Sequence, residues 1–289
     1  MKIITALTLI TLSVFINNVY SQCSDAGVCI IGERHNTDEK SYNKSSLSLQ
    51  YSLGFSGTPE DITYHALKLG SDIVITKEFS LGVVVPFYAQ MHKTSNTFSN
   101  GGVGDAFVIG NYSIQTGKKQ SLLLQGGFKI NTSSINKYEF TYTNAQGTND
   151  LILGGVYSIS LFNFSGGLQI PLTNYEDGDS KFKRGADLML KGGIKHNIEK
   201  FALSFDVLGI KRLSKSEITD SDFYTATSVT TTIDKSDFLQ INLIGGAAYN
   251  ISTDLMLDLN IAVPVLKREE DSDGTKRVFS ANLGVRFNI

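Results

Sequence analysis

From Ser46 to Phe55 the chain alternates strictly, with Leu47, Leu49, Tyr51, Leu53 and Phe55 on one set of positions and Ser46, Ser48, Gln50, Ser52 and Gly54 on the other. Successive side chains of an extended strand point to opposite faces, so this period of two predicts a strand with one apolar and one polar face. The last stretch, Val278 to Ile289, repeats the pattern: Phe279, Ala281, Leu283, Val285, Phe287 and Ile289 oppose Ser280, Asn282, Gly284, Arg286 and Asn288. Between these two lie ten further segments of the same kind. They are Thr63–Thr76, Phe79–His92, Val103–Gln115, Ser121–Asn131, Asp150–Ser160, Phe164–Leu172, Gly185–Asn197, Phe201–Lys211, Asp237–Tyr249 and Leu255–Val265. The pattern therefore predicts an all-β chain of about twelve strands.

After the short first connection, the links alternate between turns of a few residues and loops of about ten to twenty. That rhythm is expected of an antiparallel up-and-down transmembrane β-barrel, with short periplasmic turns and longer external loops. The polar face carries Asp72, Asp105, Lys129, Asp150, Asp187, Lys191, Lys195, Asp206, Asp258 and Arg286, whereas the apolar face is almost uncharged. We read those ten charged residues as lining the lumen and the apolar face as meeting lipid. The outward rings also sort by height. Phe79, Tyr112, Tyr157, Phe164, Phe201, Tyr249 and Phe287 fall near the turns, and Phe55, Phe87, Phe128 and Phe279 near the loops. Two such bands are expected at the two membrane interfaces, and a soluble sandwich core has no reason to form them.

The first residues read as an export signal: Lys2, an apolar run from Ile3 to Ile16, and Val19-Tyr20-Ser21 before a cut ahead of Gln22. The domain reading is then signal peptide 1–21, a polar segment 22–43 forming a periplasmic tail or a plug, and a barrel over 44–289. Beyond the signal no apolar run approaches the roughly 18 to 20 residues of a spanning helix, so a membrane location requires a barrel. Cys23 and Cys29 are the only cysteines, and in an exported chain they are expected to form a local disulfide. Composition adds 27 Gly against 4 Pro, fitting sheet and tight turns. Gly pairs recur inside strands, at Gly126-Gly127, Gly154-Gly155, Gly166-Gly167, Gly192-Gly193 and Gly245-Gly246, and are expected to let strands coil around a small barrel. The net charge of −2 with scattered signs offers no basic face for nucleic acid.

Candidate chemistry is sparse. Gly101-Gly102-Val103-Gly104-Asp105 lacks the Lys-Ser/Thr ending of a phosphate loop and opens a strand instead of a helix. Glu269-Glu270-Asp271-Ser272-Asp273-Gly274 lacks the spacing of a calcium loop and reads as solvated. Neither a metal nor a cofactor is expected. Of His35, His65, His92 and His196, His65 faces lipid near the loop rim, but no Ser at matching height on the neighbouring strands completes a Ser-His pair. The chain is thus expected not to be an enzyme, with an outer-membrane lipid hydrolase as a marginal alternative.

Two resemblances add to this reading. Gly102 to Tyr112, with its Gly-x-Gly-Asp start and Gly-x-Tyr finish, resembles one strand of the outer-membrane transporters grouped with the phenol-degradation meta-pathway barrels, distantly like the long-chain fatty-acid channels. The segment Cys-Ser-Asp-Ala-Gly-Val-Cys from Cys23 to Cys29 resembles the start of barrels from the Bacteroidetes. The final strand is similar to the one by which outer-membrane barrels are recognised and closed, which implies barrel-assembly machinery and outer-membrane lipid as partners. The expected function is passive uptake of a small solute, hydrophobic ones included, across the cell outer membrane. The alternative is a closed structural or surface-interaction barrel that works through its external loops.

Overall fold

The computed structural model describes residues 44–57, 62–92, 97–133, 147–177, 180–222, 227–267 and 278–289. The signal segment, the Cys23–Cys29 pair, the 22–43 segment, His35 and the 269–274 acidic loop lie outside them. In chain order the first strands are β1 (Ser46–Phe55), β2 (Ile62–Val74), β3 (Phe79–His92), β4 (Thr97–Val103), β5 (Ala106–Gly117) and β6 (Gln120–Ile130). There follow β7 (Asp150–Ile159), β8 (Phe162–Pro171), β9 (Tyr175–Asp177), β10 (Ser180–Lys183), β11 (Asp187–Ile198) and β12 (Phe201–Arg212). The last are β13 (Glu217–Asp222), β14 (Thr227–Thr232), β15 (Leu239–Asn250), β16 (Leu255–Leu266) and β17 (Phe279–Asn288).

Hydrogen bonding runs β2-β1-β17-β16-β15-β12-β11-β8-β7-β6-β5-β3, and β2 pairs with β3, so the sheet closes. The result is an antiparallel barrel of twelve strands. Closure removes the bare edges on which an open sheet would aggregate. At the closing seam β1 and β17 pair over their full length, from Ser46 with Asn288 to Phe55 with Phe279. Leu47, Leu49, Phe128, Phe164, Phe201, Leu283 and Phe287 are exposed on the outer wall, while the alternate positions turn inward.

Two features depart from the alternation. The stretch ahead of the fourth predicted segment, read from sequence as a loop, is itself a strand: β4 pairs with the loop-side end of β3, and β5, the predicted segment, with its turn-side end. The break falls at Gly104-Asp105, where the Gly104 amide donates to the Pro86 carbonyl at 2.8 Å. Any side chain at Gly104 would overlap the ring of Tyr88, so the backbone passes close to that ring and the carboxylate of Asp105 turns inside. The stretches around Thr173–Arg184 and Leu213–Asp234, read from sequence as loops, instead hold a second sheet in the order β14-β13-β10-β9. Its small core is Tyr175 and Phe182. Thr-rich β14 has high strand propensity because its β-branched side chains suit a pleated surface, and Thr219 and Thr230 hydroxyls meet at 2.9 Å across the β13–β14 pair.

The glycine pairs fall on one continuous part of the wall. Gly110 pairs with Gly126, Gly154 with Gly167 and Gly155 with Gly166. At Gly127 a side chain would overlap the Val108 carbonyl, so this wall bends with neighbouring backbones in close approach.

Candidate functional site: the barrel interior

The interior divides into two unlike halves. Toward the loop end, on the wall from β5 to β12, six charges form one chain. The Lys129 ammonium lies 3.2 Å from Asp105 and 3.2 Å from Asp150. Arg184 joins Asp150 at 2.6 Å to Asp187 at 3.2 Å, and the Arg212 Nε donates to Asp187 at 2.9 Å. Three carboxylates and three cations balance, and all six are buried. Apart from Asp105 Oδ1 and Arg184 Nε, further hydrogen bonds come from nearby groups. The Thr148 hydroxyl donates to Asp150 at 2.6 Å and accepts from Lys129 at 3.0 Å, and the Gly147 amide donates to Asp105 at 3.1 Å. Arg212 also stacks over Phe238 at 4.9 Å. Directly beneath, Phe107, Ile152, Met189, Leu208, Ile210, Ile244 and Ala262 form an apolar cluster with Val84 packed against it. Such a paired network in a low-dielectric setting is costly to disrupt and holds its strands in fixed register.

The other half, β16, β17 and β1 to β3, is built differently. Inward positions of β1 are Ser46, Ser48, Gln50, Ser52 and Gly54, and those of β17 include Ser280, Asn282 and Gly284. The hydroxyls of Ser52 and Ser280 and both side-chain polar atoms of Asn282 are buried without a hydrogen-bond partner. Ser52 and Asn282 are direct partners across the seam. Nearer the turn end this wall borders a cavity of about 120 Å³ lined by Ser48, Gln50, Lys68, Asp72, Val84, Phe107, Ile109, Asn111, Gln125, Asp258 and Arg286. Inward glycines shape it: side chains at Gly70, Gly82 and Gly284 would overlap or crowd Ser48, Asp72 and Asp258 respectively. These polar groups therefore lie flat across their glycine neighbours, which keeps the space in front of them clear.

The structure distributes the ten sequence-predicted residues between the halves. Asp105, Lys129, Asp150 and Asp187 meet in the ion chain. Asp72 and Arg286, 3.6 Å apart, and Asp258 border the cavity. Asp206 is half-buried against Gly193, and Lys191 and Lys195 are half-buried along β11. Sequence reading missed Arg184 and Arg212, which complete the ion chain, and Lys68, which is buried at the cavity. Arg212 continues the inward parity of Asp206, Leu208 and Ile210, so its signal was present. Arg184 lies between strands, where parity says nothing.

On the outer wall, the Tyr51 hydroxyl and His65 Nδ1 are 3.0 Å apart. The register partners of His65 are Leu53 and Ala89, so no serine stands beside it. Among the described residues no group of three His, Cys, Asp or Glu side chains is placed to hold a metal ion.

No protein-family model matches the chain, and no curated protein matches it by sequence. Solved structures do. An outer membrane channel from Pseudomonas putida F1 superposes with a TM-score of 0.58, at 12% identity, over 88% of this chain and 100% of the channel. The NanC porin superposes with a TM-score of 0.50, at 11% identity, over 85% of this chain and 100% of the porin. The barrel shares the fold of outer-membrane channels. The outer membrane phospholipase A from Escherichia coli aligns at a TM-score of 0.41 with 11% identity, over 84% of this chain and 92% of the enzyme, a likeness too loose to bear on chemistry.

Proposed function

We propose that the chain is an outer-membrane channel for passive passage of a small solute. The observation that carries this is the cavity in the polar half of the interior, with its flat-lying lining. Beyond it the β1–β17 seam is polar through the fully buried Ser52, Ser280 and Asn282. The paired ion chain and the apolar cluster form the rigid opposite wall. The apolar side chains Val84, Phe107 and Ile109 at the cavity support a solute with a hydrophobic part, and the Gly102–Tyr112 resemblance to the phenol meta-pathway barrels is in keeping with that. Outer-membrane lipid meets the exposed apolar wall, and residues 22–43 are proposed to act as a plug.

Single-channel conductance of the full chain in planar bilayers, with and without residues 22–43, tests the reading. Discrete steps that grow on truncation are expected, and silence from both proteins would overturn it. A second reading, a closed barrel acting through its outside, is favoured by the second sheet, whose strand β14 exposes Ser228 to Thr232 throughout. It predicts silence in bilayers together with loss of surface adhesion when β13 and β14 are removed. For the hydrolase alternative, neither register partner of His65, Leu53 or Ala89, is a serine.

A further inference from the structure

Two carboxylates, Asp72 and Asp258, and two cations, Lys68 and Arg286, line the turn-side cavity, balanced in number but not all in contact. Arg286 and Asp72 face each other at 3.6 Å. Asp258 stands apart. It is 8% exposed, it borders the cavity, and among the described residues its one polar contact is the Asn260 amide nitrogen at 3.4 Å. No lysine or arginine of the described residues comes within ion-pair distance of it, although Arg286 lies only two positions beyond Gly284, its partner across the β16–β17 pair. The reason is local. The Asp258 carboxylate lies over Gly284, in the place a side chain would take, while Arg286 reaches the other way, across β1 to Asp72. A buried carboxylate with no cation is an expensive arrangement, which a cationic group entering the cavity would relieve. Across the same cavity stand Val84, Phe107 and Ile109.

We infer that this cavity binds a small amphipathic amine, its ammonium on Asp258 and its apolar body on Val84, Phe107 and Ile109. The inference rests on the channel reading and names the class of solute the channel takes. A primary ammonium brings three donors to a carboxylate that has only one long contact. A neutral molecule of the same shape leaves the carboxylate as it was. Affinity and selectivity are thereby located in one residue, whereas the channel itself depends on the whole lining.

The test uses the full chain purified from outer membranes, with benzylammonium as probe and benzyl alcohol as its neutral counterpart. By titration calorimetry, benzylammonium is expected to bind the unaltered protein at least about tenfold more tightly than it binds Asp258→Asn, a difference that corresponds to roughly 1.4 kcal/mol. Benzyl alcohol should bind both proteins equally weakly. Gly284→Ala, which keeps the charge but takes the space the carboxylate occupies, should weaken benzylammonium several-fold, and it decides the matter if Asp258→Asn does not assemble. Equal benzylammonium affinity in all three proteins, or benzyl alcohol binding as tightly as the amine, would overturn the assignment. In bilayers the two readings separate. Conductance that benzylammonium blocks in the unaltered protein but not in Asp258→Asn supports both, and conductance it leaves untouched in both proteins overturns the amine while the channel stands. Absence of any conductance overturns the channel, and the calorimetry still decides whether Asp258 holds an ammonium.

Discussion

At the scale of single residues, burial decides which charges matter. Asp187 is fully buried between two guanidinium groups, and removing it leaves Arg184 and Arg212 facing each other in the interior. Asp187→Ala is therefore expected to destabilise the barrel by about 3 to 5 kcal/mol, measured by urea unfolding from lipid vesicles. The exposed pair of Lys183 and Glu217, at 2.9 Å, behaves differently: Lys183→Ala should cost less than about 1 kcal/mol, because solvent already screens it. A third charge pair carries a pH dependence. Lys44 donates to the Asp254 carboxylate in the β15–β16 turn, and with the Thr253 hydroxyl it holds that carboxyl below its usual range. A depressed carboxyl contributes stability that is present above its unfolded value, about 3.9, and is lost as pH falls through the folded value. Protection of the Lys44 to Ser46 amides from exchange, taken relative to the intrinsic rate, should therefore fall on acidification below about pH 4. In Asp254→Asn it should show no such acid limb.

At the scale of elements, alternation made the barrel legible and composition hid the rest. β1 and β3 begin and end where the period-two pattern places them, because a strand with lipid-type side chains on one face and polar ones on the other cannot shift by one residue without inverting both faces. The second sheet escaped because Leu213–Asp234 is rich in Ser and Thr with few apolar markers, a composition shared by solvated loops and exposed strands. Arg184 escaped for a related reason: it is positioned by the turn between β10 and β11, not by parity. The second sheet is separable. At its base the Ile233 amide donates to the Ser216 carbonyl at 2.9 Å, and the Ser216 amide donates to the Ser236 hydroxyl at 2.7 Å. Replacing residues 217–232 by a short Gly-Ser linker should leave this clip in place. Heat-modified electrophoretic mobility of the barrel should then be unchanged, and its loss would mean that the sheet is part of the barrel's own stability.

At the scale of the whole molecule, the filled and hollow halves divide between them the tasks of the proposed channel, one wall fixing diameter and register and the other offered to the solute. The division also has a consequence in time. Every barrel pairing but one joins strands that follow each other along the chain; the exception is β1 with β17, which brings together the two ends of the described barrel. Loop-closure entropy makes that contact the slowest to find. The ion chain, built on consecutive elements from β5 to β12, can be complete while the seam is still open. The barrel is therefore a curled sheet that assembles its ion-paired wall first and zips shut along its polar seam. The small, polar side chains of β1 and β17 leave little bulk at that last edge to be repacked as it closes.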